Sequence, residues 1–239
     1  MDKFYQKSDF SDWRPKHKSV IEDFLNFLNS RTDNFVLKGG TGLMECYGLS
    51  RMSEDIDLDG KEKDIANYVE IFCKDRGYTF RISKDTDTVK RYFINYGNVG
   101  KPLKIEASFR RQSIPENEIK KINGITVYDI NTIAVMKAGA YSSRDKLRDM
   151  FDVAFIVNTF YEDLNQPVRL ILQESISYKG IEQFDFLIKD QQDELIDPDV
   201  LAEQFLTAYE RLGIASEKDN ITIQDGSSPV QQLSRHRGR

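Results

Sequence analysis

Apolar positions change their period twice along this chain. Between residues 16 and 30, Val20, Phe24, Phe27 and Leu28 recur at helical spacing and predict an amphipathic helix. Asn34-Phe35-Val36-Leu37-Lys38 is a short apolar run that stops at Gly39-Gly40, which reads as a strand followed by a turn. Residues 41–47, with Leu43 and Met44 apolar, predict the opening of a helix. Residues 55–59 read D-I-D-L-D, a strict alternation and hence a strand. Residues 61–76 place Ile65, Tyr68, Val69 and Phe72 on one helical face. Three or four strands follow, over 78–83, 91–96, 103–109 and, more briefly, 126–129.

From residue 131 the period is helical and stays so, over 131–142, 145–161, 167–178 and 198–212. Asn131 and Asp145 are the expected N-caps, and Pro167 and Pro198 suit helix starts. The expected class is α+β: a mixed sheet with helices, then a helical bundle. The switch near residue 129 divides the chain into an expected domain over 1–128 and a second over 129–223, with room for a cleft between them.

The chain has 239 residues, enough for one large or two small domains. Hydrophobic residues make up 39% and charged ones 31%, with Phe and Tyr plentiful, so a core is available and general disorder is excluded. Residues 224–239 lack any period and read as an appended tail. From Gly226 onward that tail carries Arg235, Arg237 and Arg239 and no acid, so without these three the net charge of −5 becomes −8. Any nucleic-acid contact must therefore come from a local basic patch. Cys46 and Cys73 stand far apart, outside any C-x-x-C, which excludes a zinc framework or a disulfide scaffold. The first residues lack an apolar signal core and no run approaches 18 apolar residues, so a soluble cytoplasmic protein is expected.

Asp55 and Asp57 lie two apart on a strand, so their carboxylates share a face while Ile56 and Leu58 enter the core. Two such charges repel unless a cation sits between them, and hard divalent cations such as magnesium or manganese prefer oxygen ligands. By itself D-x-D also suits a solvated strand face, which Asp59 would continue. Over 103–109, Lys104, Glu106 and Ser108 share the face opposite Ile105, Ala107 and Phe109. Glu106 would be a third carboxylate, and three from neighbouring strands could hold two cations about 4 Å apart. Lys38-Gly39-Gly40-Thr41-Gly42-Leu43 puts glycines between strand and helix, where backbone N–H groups can face a phosphate. It is neither a Walker loop nor the dinucleotide fingerprint, because Glu45 stands where the last Gly belongs. Only His17 lies outside the tail, so histidine acid–base chemistry and a histidine-rich zinc site are excluded.

These pieces have a known order. K-G-G-T-G-L, then Tyr47-Gly48, then R-M-S-E-D-I-D-L from Arg51 to Leu58, resembles the AbiEii/AbiGii-type nucleotidyltransferase toxin family of the polymerase-beta-like superfamily. The later K-x-E is Lys104-Ile105-Glu106; the family's early helical lysine matches Lys137, and its R-D-x-x-D helix matches Arg148-Asp149-Met150-Phe151-Asp152. The resemblance spans about residues 35–155, with Gly42 where the family more often has Ala. It implies a polymerase-beta-like core with catalytic Asp55, Asp57, Glu106 and Lys137. It also implies magnesium or manganese on Asp55, Asp57 and Glu106. Gly39, Gly40, Thr41, Lys38 and Arg51 would lie around the nucleotide triphosphate. Asp149 and Asp152 share a helical face, either beside the nucleotide or in a structural ion-pair network with Arg144 and Arg148. The family implies a toxin of a toxin–antitoxin or phage-defence system, an antitoxin partner and a transfer-RNA 3′ end as acceptor.

The expected reaction moves a nucleoside monophosphate from a triphosphate to a hydroxyl on RNA. Two alternatives remain open at this point: a phosphotransferase using the same site, and a catalytically silent nucleotide- or RNA-binding protein.

Overall fold

A computed structural model describes residues 13–97, 100–111 and 113–214; the tail over 224–239 lies outside them. Seven strands form one mixed sheet: β1 (Phe35–Lys38), β2 (Asp55–Gly60), β3 (Thr79–Asp85), β4 (Val89–Asn95), β5 (Leu103–Ser108), β6 (Ile119–Ile122) and β7 (Ile125–Tyr128). Their order across the sheet is β3-β4-β5-β2-β1-β7-β6. β2 runs parallel to β5 and antiparallel to β1, so the two strands beside β2 come from distant parts of the chain.

One face of the sheet is apolar. Leu37, Ile56, Leu58, Ile105, Ala107, Tyr92 and Ile94 are buried there. Helices α1 (Arg14–Asn29) and α3 (Ile65–Arg76) pack against the sheet, and Phe24 and Phe27 of α1 meet Phe72 of α3 edge to face. Helix α2 (Gly39–Tyr47) leaves β1 directly, so the two glycines form the first turn of the helix rather than a loop before it. Gly39 has φ +73°, a conformation that costs glycine nothing.

After β7 come α4 (Ile130–Ser143), α5 (Leu147–Phe160), α6 (Gln166–Asp190) and α7 (Pro198–Arg211). α4 packs on α5 and α6, and α5 on α7. The switch to helix thus falls where the periodicity put it, but the caps differ. Asp129, not Asn131, caps α4 by accepting from the Thr132 N–H, and Asn131 instead links to the backbone of Asp163 and Asn165. Asp145 does not cap α5; its carboxylate is taken by Lys179 at 2.6 Å. α6 extends past residue 178 because it bends at Gly180 (φ 66°, ψ 178°) and resumes, burying Phe184 and Leu187. β6 was not expected: I-K-K-I does not alternate, and the strand sits at the sheet edge. Among the described residues no helix is long and apolar enough to cross a membrane.

Candidate active site

The sheet face opposite α1 and α3 carries the charge. Asp57 pairs in register with Glu106 of β5 on one side and with Lys38 of β1 on the other; Asp55 pairs with Lys104. Residues in register share a face, so Asp55, Asp57 and Glu106 are brought side by side as expected. Lys104 Nζ stands 2.7 Å from Asp55 and 4.0 Å from Asp57, and Arg91 of β4 binds Glu106 at 2.5 Å. The three carboxylates are therefore neighbours that meet cationic side chains, and among the described residues no three His, Cys, Asp or Glu side chains close into a cage.

Burial pushes the Asp57 carboxyl above its usual range; Asp55 and Glu106 push the same way, against Lys104 and Lys38. Its side chain is 37% exposed, so water reaches the oxygens at the floor of a crowded face without surrounding them. Lys104 is held more firmly protonated than a free lysine: burial alone would lower it, but the hydrogen bond to Asp55 and the charges of Asp57 and Glu106 outweigh that.

The start of α2 points at this face. A methyl group on Gly39 would lie 3.5 Å from Asp57 Oδ2. The N-cap position is Lys38, which makes no side-chain capping bond, so the first N–H groups of α2 are left without a side-chain partner. Thr41 is fully buried, and its hydroxyl is spent on β2, donating to the Asp55 carbonyl and meeting the Ser53 hydroxyl at 2.9 Å. Lys38 is likewise committed, to the buried carboxylate of Asp59, which also accepts from the Tyr128 hydroxyl at 2.9 Å.

Arg51 and Asp152 form a buried bidentate pair at 2.7 and 2.6 Å. Lys137 joins it, with Nζ 2.6 Å from Asp152 Oδ2 and only 9% of the residue exposed. Asp149, also buried, is held by Arg144 at 2.6 and 2.9 Å. Both aspartates of the R-D-x-x-D helix are thus ion-paired. Arg148 reaches Glu54, the residue before Asp55, at 2.7 Å, and also binds Asp193; Lys101 binds the same Glu54. His17 is fully buried and holds the same corner: its Nε2–H donates to the Glu54 carbonyl at 2.7 Å, leaving Nδ1 to accept from Tyr96.

Arg144, Lys146 and Arg148, with Gln191 and Gln192, line an open cleft of about 550 Å³. Bonding to Asp149 holds Arg144 more firmly protonated against the opposing effect of burial, and the charges of Asp57 and Asp152 add to it. Sequence reasoning assigned no role to Glu54, Arg91, Lys104 or Lys146, whereas the ion pair of Arg144 with Asp149 is one of the two readings it gave. A signal for Lys146 was present, since R-D-K-L-R over 144–148 clusters three cations around the start of α5.

A mixed sheet with paired aspartates on β2, a carboxylate beside them on β5 and an uncapped helix start facing them defines an α+β enzyme that handles nucleotides. A model of the family described as nucleotidyl transferase AbiEii toxin, Type IV TA system, matches residues 26–222, and the chain belongs to that family of nucleotidyltransferase toxins. JHP933 from Helicobacter pylori is similar at 26% identity and TM-score 0.69, covering 90% of this chain and 97% of that one. MenT4, a nucleotidyltransferase toxin from Mycobacterium tuberculosis, is similar in fold at 15% identity and TM-score 0.50, covering 88% of each chain. A search of curated proteins gives no match.

Proposed function

We propose that this nucleotidyltransferase moves a nucleoside monophosphate from a nucleoside triphosphate to a hydroxyl at the 3′ end of an RNA, with pyrophosphate leaving and transfer RNA the acceptor class that the family resemblance suggests. The observation that carries it is Asp57: a carboxylate desolvated beside Asp55 on its own strand and Glu106 in register on the next. Carboxylates gathered on one face repel each other, and the donors here are all hard oxygens, so the residues fit magnesium or manganese. Asp55 and Asp57 would hold the cation, and Glu106 would join them once Arg91 yields. Bound there, the cation would neutralise the phosphate oxygens and the charge that develops in transfer.

The chain's own groups do the rest. The free N–H groups at Gly39 and Gly40 face the triphosphate. Glu106 is placed to take the acceptor hydroxyl's proton. Lys137 swings from Asp152 to the triphosphate oxygens, and Asp152 stays paired because Arg51 keeps both its oxygens. Residues 1–128 act as the catalytic domain and 129–223 as a helical second domain whose Arg144, Lys146 and Arg148 wall the nucleotide from water. Asp149 and Asp152 orient those cations rather than touch substrate. The proposed protein partner is a cognate antitoxin, and the proposed compartment is the cytoplasm.

The test supplies each triphosphate in turn, labelled at the alpha or the gamma phosphate, with magnesium and total RNA. Label is expected in RNA from the alpha position alone, and Asp57→Asn is expected to abolish it. Gamma transfer would establish the phosphotransferase instead. Tight nucleotide binding with no transfer to RNA, protein or small acceptors would establish the silent binder.

A further inference from the structure

Two rows of paired residues cross the sheet from the carboxylates to its free edge. One runs Asp57, Glu106, Arg91, Lys84; the other runs Asp55, Lys104, Phe93, Arg81. A register shift between Ile82 and Lys84 makes the second cation of β3 possible. In a regular strand Arg81 and Lys84, three apart, would point to opposite faces; one extra residue turns Lys84 onto the face of Arg81. Outboard of the carboxylates this face therefore carries Lys104, Arg91, Arg81, Lys84 and the half-buried ring of Phe93.

Lys104 and Arg91 are engaged by Asp55 and Glu106, but among the described residues Arg81 and Lys84 have no carboxylate partner. The Arg81 guanidinium lies 4.1 Å above the Phe93 ring and is otherwise open to solvent. This is a local basic strip in a chain whose net charge is −5. Lys90, on the same hairpin, is spent on Asp85.

We propose that this strip on β3 and β4 is the landing surface for the single-stranded 3′ end of the acceptor RNA. Arg81 and Lys84 meet its phosphates, and one base stacks on the Arg81 plane backed by Phe93. Charge complementarity selects a polyanion. A flat guanidinium on an aromatic ring selects an unpaired base and accepts any of the four. Register sets the reach: Phe93 is two strands from Asp55, about 10 Å at the usual strand spacing, so an RNA whose last hydroxyl sits at the carboxylates crosses the strip within its final few nucleotides. The strip also supplies the local positive surface that an acidic protein needs to bind RNA.

This inference rests on the acceptor being RNA, and the experiment separates the two. The full chain carrying Arg81→Glu with Lys84→Glu, and separately Phe93→Leu, is compared with the parent for binding of a fluorescent single-stranded RNA with a free 3′ hydroxyl, of the same RNA as a blunt duplex, and of nucleoside triphosphate by calorimetry. The parent is expected to prefer the single strand. The charge reversal is expected to weaken single-strand binding by about tenfold or more and to flatten its salt dependence. Phe93→Leu is expected to weaken it by several fold at unchanged salt dependence. Triphosphate binding and melting temperature should hold in both. Unchanged RNA affinity in the charge reversal, no measurable RNA binding by the parent, or an equal loss of triphosphate affinity would each overturn the assignment. If the parent labels RNA and the charge-reversed protein does so with the same KM for RNA, the strip is wrong and the reaction stands. If the parent labels no RNA while the strip still governs single-strand binding, the reaction is wrong and the surface stands.

Discussion

At the scale of the residue, Asp152 has two cationic partners and one of them is expendable. Arg51 takes both carboxylate oxygens, and Lys137 adds a third contact. Removing one member of a buried pair leaves an uncompensated charge, which costs about 3–5 kcal/mol. Asp152→Ala strands two cations and is expected to lower stability by that order, read as a fall in denaturation midpoint. Lys137→Ala leaves Asp152 bound by Arg51, so the midpoint should move little. Turnover with labelled triphosphate should nevertheless fall by at least about tenfold, the scale of one lost charge-assisted contact. Full turnover in Lys137→Ala would reduce the lysine to a packing role.

At the scale of the element, α2 depends on the glycine in its first turn. A Cβ on Gly40 would lie 2.8 Å from Ser53 Oγ and 2.9 Å from Arg51 Nη2. Arg51 cannot swing aside freely, because Asp152 grips its Nε and Nη2. Gly40→Ala is therefore expected to cost about 1–3 kcal/mol in thermal or denaturant unfolding, the usual penalty of overpacking. In a double-mutant cycle with Arg51→Ala the two losses should be less than additive, since the guanidinium's share of the clash disappears with it. Additive losses would mean that the contact with Ser53 Oγ, and not the guanidinium, sets the effect. So K-G-G-T serves packing: Thr41 and Gly40 seat α2 against β2.

At the scale of the whole molecule, the corner before Asp55 ties together α1, β2, the segments flanking β4 and β5, and α5, through His17, Tyr96, Glu54, Lys101 and Arg148. Burial, helped by the nearby charge of Lys101, depresses the His17 pKa from 6.5 to about 4. The unfolded chain then binds a proton more readily than the folded one across that interval. The stabilisation is complete above the unfolded value of 6.5 and is lost as pH falls through about 4. Between pH 7 and 5 the parent should lose on the order of 1 kcal/mol, once solvent screening is allowed for, that His17→Gln does not lose. Parallel midpoint-versus-pH curves for the two proteins would contradict this. Glutamine keeps a donor for the Glu54 carbonyl, so the comparison isolates the titration.

Most elements were legible in the sequence because local period and punctuation decide them. The alternation D-I-D-L-D made β2, and the helical spacing from residue 131 made α4 and α5. The same alternation determined that Asp55 and Asp57 share a face, and K-I-E did so for Lys104 and Glu106. Where the local signal was weak, local reading failed: I-K-K-I hid β6, and Gly180 concealed that α6 resumes. What no local pattern could decide is which strands become neighbours and which charges meet. Asp57 faces Glu106 because β5 returns alongside β2, and Asp152 is claimed by Arg51 from 101 positions away. A single bulge in β3 settles which face Lys84 joins. Charge partners are chosen by distance in space, and spatial distance is fixed only when the core closes. The sequence by itself thus determined the chemistry available to this protein, and the tertiary structure decided which of its charges are left free to use it.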